Sequence, residues 1–426
     1  MIKRIILNIA AIVCLQHIVS GQNNNSPYSI YGIGDIEQSS FDRTSGMGHS
    51  GMALSSNRFL YNANPASISG LDDKFFNIEL SGRAKFINYS GDPVTSNSNS
   101  SSDLQIKKIS LAIKIKPKWG MSIGLLPFSS ANYSFNSNKY IIGAGNVSVP
   151  AYYQGSGSLS QLYLSNSYKL FKNFSIGLQS SYLFGQFSQT ENIISSFATD
   201  SGLTTIRKNV IGSAYFKPGF QFNTKVNSQL RLYFGGTATF KTSLNGVTSL
   251  SVSDGGIVVP TPQNTILENY KSVPFTLPAR FAGSIAAKLK EKYTFSVDYS
   301  FQNWNSLNMQ GITYKLVNSN FVSAGFEIAK LQRFRGSDVP FEKHFWQAGV
   351  FRNNSYLKIN GQQVSTYGIT LGGGKNFLRS NLGMQINTEL GVRGMTTGGM
   401  VQENYAQVNI ILSYRDFWFV KVKRFD

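Results

Sequence analysis

Histidine and cysteine, the usual base and the readiest nucleophile of covalent catalysis, are scarce in this chain, and their spacing argues against such chemistry. Beyond residue 21 there are two histidines, His49 and His344, and no cysteine, because Cys14 lies within the first twenty residues. Hydrolysis needs at least a base beside a nucleophile. Gly48-His49-Ser50-Gly51-Met52 begins like a nucleophile elbow, but Met52 stands where the second glycine belongs. Gly46, Gly48 and Gly51 spell G-x-G-x-x-G, which grips a dinucleotide only between an apolar strand and a helix. The preceding Gln38-Ser39-Ser40-Phe41-Asp42-Arg43 is no such strand, so the glycines read as tight turns. His344 stands beside Phe345 and Trp346, where an interfacial aromatic belt is the simpler account. Two histidines without cysteine make no metal site. The expectation is a protein that is not an enzyme and carries no cofactor and no metal.

The cations are the other chemical resource. The formal charge is +19, and +17 without Lys3 and Arg4. Such a balance suits nucleic acid, an anionic membrane surface or anionic solutes. The lysines are scattered rather than clustered and the chain reads as exported, which leaves no role for nucleic acid. Outer-membrane lipids with anionic headgroups, or a carboxylate-bearing solute, are the expected partners. Arg83, Lys85, Lys108, Lys114 and Lys116 fall on the polar faces of the first two strands. There they are expected to snorkel to headgroups, some being free to attract a carboxylate.

The elements that hold these residues are strands. Lys3 and Arg4, the apolar run 5–15 and the small residues Val19-Ser20-Gly21 make residues 1–21 an expected signal peptide, cleaved near Gly21. Later residues contain no apolar run long enough for a membrane helix, and the mean hydropathy is -0.14. From about residue 72 the chain alternates instead. Phe76, Ile78, Leu80, Ala84 and Phe86 share one face; Asn77, Glu79, Ser81, Arg83 and Lys85 share the other. The pattern recurs over 293–301, 381–393 and 406–414.

Soluble sandwiches alternate too, so connection lengths decide. Long connections (88–105, 135–158, 190–203, 244–275, 304–318) alternate with short ones (117–119, 171–173, 226–228, 289–291). Outer-membrane barrels require this parity and sandwiches do not. It weakens at 333–341 and 372–379. About fourteen strands result, predicting an all-β transmembrane antiparallel barrel over 72–426. Phe417-Trp418-Phe419 and Phe425 then supply an aromatic end.

Residues 22–71 do not alternate. They are rich in turns yet carry Phe41, Met47, Met52, Leu54, Phe59, Leu60 and Tyr61, too much apolar surface for a disordered tail. They are expected to form an N-terminal plug, or hatch, in the barrel lumen. Pro127 interrupts the third strand on the face of Met121, Ile123 and Leu125. Proline cannot donate to a ladder, so a kink and a gap beside the third strand are expected, with Leu126 and Phe128 lining it from inside.

Gly46-Met47-Gly48 with Gly51 and Ala53, followed by Asn64-Pro65-Ala66 just before the first strand, resembles the FadL-type long-chain fatty-acid transporters. The likeness covers the mature chain at the level of pattern. It implies a hatch built on Gly46, Gly48, Gly51, Asn64, Pro65 and Ala66, and a hydrophobic small-molecule ligand leaving sideways at the kinked third strand, at Leu126, Pro127 and Phe128. Ser26-Pro27-Tyr28-Ser29, Leu126-Pro127-Phe128-Ser129 and Asp298-Tyr299 resemble a subgroup that is also similar to the shuttle barrel of the type IX secretion system. Two functions follow: passive outer-membrane transport of a fatty-acid-like molecule in a gram-negative bacterium, or a scaffold whose long outer loops 135–158 and 244–275 bind a protein partner. An open porin fits less well with a substantial hatch.

Overall fold

Strands with one polar and one apolar face can shelter the polar face from lipid, and pair every backbone group, only by closing into a ring. The computed structural model describes residues 26–91, 99–140, 148–193, 202–254, 266–311, 313–332, 341–377 and 381–417. The expected signal peptide and the aromatics at 418, 419 and 425 lie outside these described residues. The strands are β1 (Asp35–Ile36), β2 (Phe75–Ser90), β3 (Ser100–Lys116), β4 (Trp119–Ser130), β5 (Tyr133–Tyr140), β6 (Ser148–Phe171) and β7 (Phe174–Ile193). They continue as β8 (Leu203–Lys225), β9 (Leu230–Thr239), β10 (Thr242–Asp254), β11 (Ile266–Leu277), β12 (Arg280–Leu289) and β13 (Tyr293–Gln302). The last are β14 (Tyr314–Leu316), β15 (Ser319–Gln332), β16 (Phe341–Ile359), β17 (Gln362–Asn376), β18 (Leu382–Arg393) and β19 (Gln402–Phe417).

Three wall strands are interrupted: β4 runs on as β5, β9 as β10, and β11 as β12. β19 pairs with β2 from Gln402↔Ser90 to Phe417↔Phe75, closing an antiparallel barrel of fourteen strands. The alternation holds as expected. Ile78, Leu80, Phe86, Phe295, Val297 and Tyr299 face outward, while Asn77, Glu79, Ser81, Ser296, Asp298 and Ser300 are buried inside.

The long connections differ from expectation. Much of 135–158 and 244–275 is strand, with β5–β6 and β10–β11 paired as ribbons. Beyond the lipid neither face has to be apolar, so the hydrophobic period fades while backbone pairing continues. Likewise β17 runs to Asn376, shortening the connection expected at 372–379. Of the one expected at 333–341, residues 333–340 lie outside the described residues and Phe341 opens β16.

The third strand breaks its ladder where proline stands. Pairing of β3 with β4 extends from Lys116↔Trp119 to Ile109↔Leu125 and ends there. Toward β6 the register shifts between Pro127 and Ser129. On the side vacated by β3, β1 pairs with β4 (Asp35↔Ser130, Ile36↔Ser129), and Glu37 N–H donates to the Phe128 carbonyl at 2.9 Å.

Candidate functional site

Residues 26–71 build the site from three capped 3-10 turns. Ser26, Asp42 and Asn64 each accept a backbone N–H two residues on, from Tyr28, Thr44 and Ala66. The third turn, Pro65–Gly70, has proline where no N–H is needed. Asn64 therefore caps through Oδ1, while its Nδ2 donates to the Phe220 carbonyl of β8 at 2.9 Å. The Ser167 hydroxyl of β6 donates to the Ala66 carbonyl at 2.8 Å. A Cβ on Gly177 of β7 would lie 2.4 Å from Ala66 N and 2.5 Å from Pro65 C. Asn64-Pro65-Ala66 is thus a capped turn seated directly on the wall.

The glycine cluster is seated on the opposite side. Gly48 has φ +64 and its N–H donates to Thr370 Oγ1 of β17 at 2.7 Å. Gly51, at φ +127, donates to the Asp298 carboxylate of β13. A side chain on Gly46 would meet Gln347 Oε1 at 2.4 Å. The glycine pattern serves tight turns and close approach to the wall.

Buried ion pairs lock this contact. Arg43 donates Nε and Nη2 to Glu327 of β15 at 2.9 and 2.8 Å, and Nη1 and Nη2 to Glu342 of β16 at 2.7 and 2.8 Å. Its guanidinium also lies 3.9 Å from the Phe345 ring centroid. Burial opposes the Arg43 charge, but Glu327 and Glu342 more than offset it and hold the group firmly protonated. His49 Nε2 meets Glu389 of β18 at 2.9 Å. Burial works against its proton too, yet Glu389, Glu37 and Asp42 raise its pKa above 6.5. Asp35 pairs with Arg393 at 2.7 Å; burial is outweighed there by Arg393, Lys85 and Arg83, which hold the carboxyl below its ordinary range.

Most of the cations expected to meet headgroups point inward and are engaged. Arg83 binds Glu37 and Asp103 at 3.3 and 3.2 Å, Lys108 binds Glu79 at 2.6 Å, Lys114 bonds the Ser69 and Leu71 carbonyls, and Lys85 lies over the Tyr405 ring. Lys116 is exposed. These side chains lie on the polar face of a closed wall, so carboxylates and carbonyls inside reach them before lipid does. The sequence placed Glu79 on the polar face but assigned none of these pairs, because each depends on which strands or segments lie side by side.

Leu126 is buried, and Pro127 and Phe128 are half-buried. Leu126, Pro127 and Phe128 line one internal cavity of about 160 Å³ with Ile36, Gln161, Tyr215, Lys217 and Arg280. The Phe128 and Tyr215 rings meet edge-on at 5.8 Å. Toward the long-connection end, Tyr28, Ile33, Leu244, Phe275, Trp304 and Tyr356 form an apolar core, with Trp304 stacked on Tyr356 at 4.3 Å. Toward the short-turn end, a vestibule of about 940 Å³ is lined by Arg58, Tyr61, Phe75 and Arg415.

A family model described as BamG matches residues 1–426. The chain belongs to the BamG family. Its fold is that of FadL-type outer-membrane transporters. A Pseudomonas aeruginosa FadL homologue superposes with a TM-score of 0.60 at 14% identity, over 91% of this chain and 100% of that one. The Ralstonia pickettii toluene transporter TbuX does so with 0.57 at 12%, over 88% and 97%. The Pseudomonas putida toluene transporter TodX follows with 0.54 at 14%, over 90% and 99%. No curated protein sequence matches this BamG-family chain. At these identities the structural likeness carries the fold.

Proposed function

We propose that this BamG-family barrel is a passive transporter for hydrophobic or amphipathic small molecules in the outer membrane of a gram-negative bacterium. Residues 22–71 serve as its hatch, and the exit is lateral, at Leu126, Pro127 and Phe128. One observation carries the reading. The β3–β4 ladder stops at Ile109↔Leu125, and the freed edge of β4 is covered by the two-residue strand β1. The cavity lined by Leu126 and Phe128 lies directly behind that edge. Moving β1 aside breaks few backbone hydrogen bonds, each worth about 1 kcal/mol net, together with the Asp35–Arg393 pair. Moving the whole hatch would also break the Arg43, His49 and Asp298 contacts. The gate is therefore β1 rather than the entire segment.

Ile36 and Ser129 are paired across β1 and β4, and directly opposed strand residues lie within disulfide reach. Oxidising the I36C/S129C variant is expected to stop uptake of a hydrophobic solute into proteoliposomes, and reduction to restore it. Unchanged uptake in the oxidised barrel rules out the lateral route.

A second reading, a scaffold or shuttle binding a protein partner in a secretion or surface-assembly complex, is favoured by the apolar core toward the long-connection end and by the ion-paired hatch. Its contacts would lie on the ribbons within 135–158 and 244–275. Shortening either ribbon would then release a stoichiometric partner from native membranes while leaving uptake intact.

A further inference from the structure

Wall register places one rung of inward polar side chains across five strands behind the proposed exit. Gln179 of β7 pairs with Lys217 of β8; Arg280 of β12 pairs with Thr239 of β9 and with Gln302 of β13. The Gly219↔Thr237 pair brings Lys217 level with Thr239 two residues further along. With about 4.8 Å between strands, Lys217 and Arg280 stand about 10 Å apart at Cα. Both side chains line the 160 Å³ cavity.

Among the described residues no ion pair neutralises either charge: Asp42 acts on Lys217 only from beyond ion-pair distance and accepts from the N–H groups of Thr44 and Asn62. Lys217 Nζ donates to the Asn62 carbonyl and Arg280 Nη2 to Ser300 Oγ, each at 3.1 Å, and among the described residues neither forms an ion pair. The cavity's two carboxylates are engaged elsewhere. Glu37 faces Arg83 and Lys107 at 3.3 and 3.9 Å. Asp298 accepts from the N–H groups of Gly51 and Met52 and from the hydroxyls of Ser284 and Ser296. His49, also on the cavity wall, faces Glu389. Two half-buried cations outside any ion pair favour an incoming anion. Leu126, Phe128, Leu277 and Phe321 give the same cavity an apolar side.

We propose that this cavity binds a compact carboxylate, aromatic or short-chain, with its anionic head between Lys217 and Arg280 and its apolar body against Leu126 and Phe128. A volume of about 160 Å³ matches the roughly 150 Å³ apolar cavity that holds one benzene ring. A long acyl chain does not fit inside it. The inference rests on the transporter reading for its place on a route, but binding is measurable without transport.

Calorimetry on the purified, detergent-folded full chain, with benzoate and its neutral isostere benzamide as probes, tests it. Benzoate is expected to bind at least tenfold more tightly than benzamide. K217Q and R280Q are each expected to weaken benzoate about tenfold or more while leaving benzamide unchanged, and Arg280→Lys to restore most of the preference. Equal binding of the two probes to the unmodified protein, or no binding of either, overturns the inference without any variant. Benzoate affinity unchanged in folded K217Q and R280Q overturns it as well. Loss of disulfide-gated uptake control would instead remove the transporter reading and leave the anion site standing.

Discussion

Arg43→Ala removes the guanidinium that faces both Glu327 and Glu342 and leaves their carboxylates behind. The Arg43 and Glu327 side chains are 4% and 6% exposed, and Glu342 is 22% exposed. Stripping one partner from a buried pair costs about 3–5 kcal/mol, because the remaining charge has neither water nor counter-ion. Glu342 can recover hydration and adds about 1 kcal/mol at most. Losing the guanidinium over Phe345 adds about 1 kcal/mol more. The sum, about 4–7 kcal/mol, falls on the contact between the N-terminal segment and β15–β16. Urea unfolding of the barrel in lipid vesicles, with cleavage by an added protease as a local probe of residues 38–60, measures it. The variant is expected to expose this segment to protease well before the barrel unfolds. The double variant Arg43→Met/Glu327→Gln, which leaves no buried charge at that position, is expected to recover most of the loss. A change below about 1 kcal/mol in Arg43→Ala would falsify the claim that this pair holds the segment.

Three further outcomes follow from other contacts. His49 has a raised pKa, so its pairing with Glu389 contributes fully below about pH 6.5 and is lost as pH rises through the folded value. Protection of residues 38–60 from protease should therefore weaken toward alkaline pH in the unmodified protein, and H49Q should flatten that dependence. On Gly349 of β16, a Cβ would stand 2.1 Å from Gly48 N and 2.2 Å from Met47 C. Gly349→Ala should cost about 1–3 kcal/mol by overpacking and loosen the glycine cluster, measured by the same proteolysis. The oxidised I36C/S129C barrel should lose uptake but gain thermal stability, which distinguishes a locked gate from a misfolded one.

Local chemistry made part of this molecule legible. Alternation in 76–86 or 293–301 reports on one strand at a time, because a side chain facing lipid must be apolar whatever its distant partner is. The parity of connections implied closure, and Pro127 announced a break because a missing N–H is a property of one residue. Asn64-Pro65-Ala66 stood out in the sequence only as a motif; that Asn64 caps the turn Pro65–Gly70 is read from the structure. What the sequence alone could not convey is which inward charges meet. Arg43 and Glu327 are 284 residues apart and His49 and Glu389 are 340 apart, so their pairing exists only once the ring closes around the N-terminal segment. The strand β1 over the freed edge of β4, and the unpaired Lys217 and Arg280 behind it, are decisions of the same kind. Local pattern determined a barrel with a polar interior. Closure decided which cations that interior neutralises, and it leaves Lys217 and Arg280 without an ion pair among the described residues.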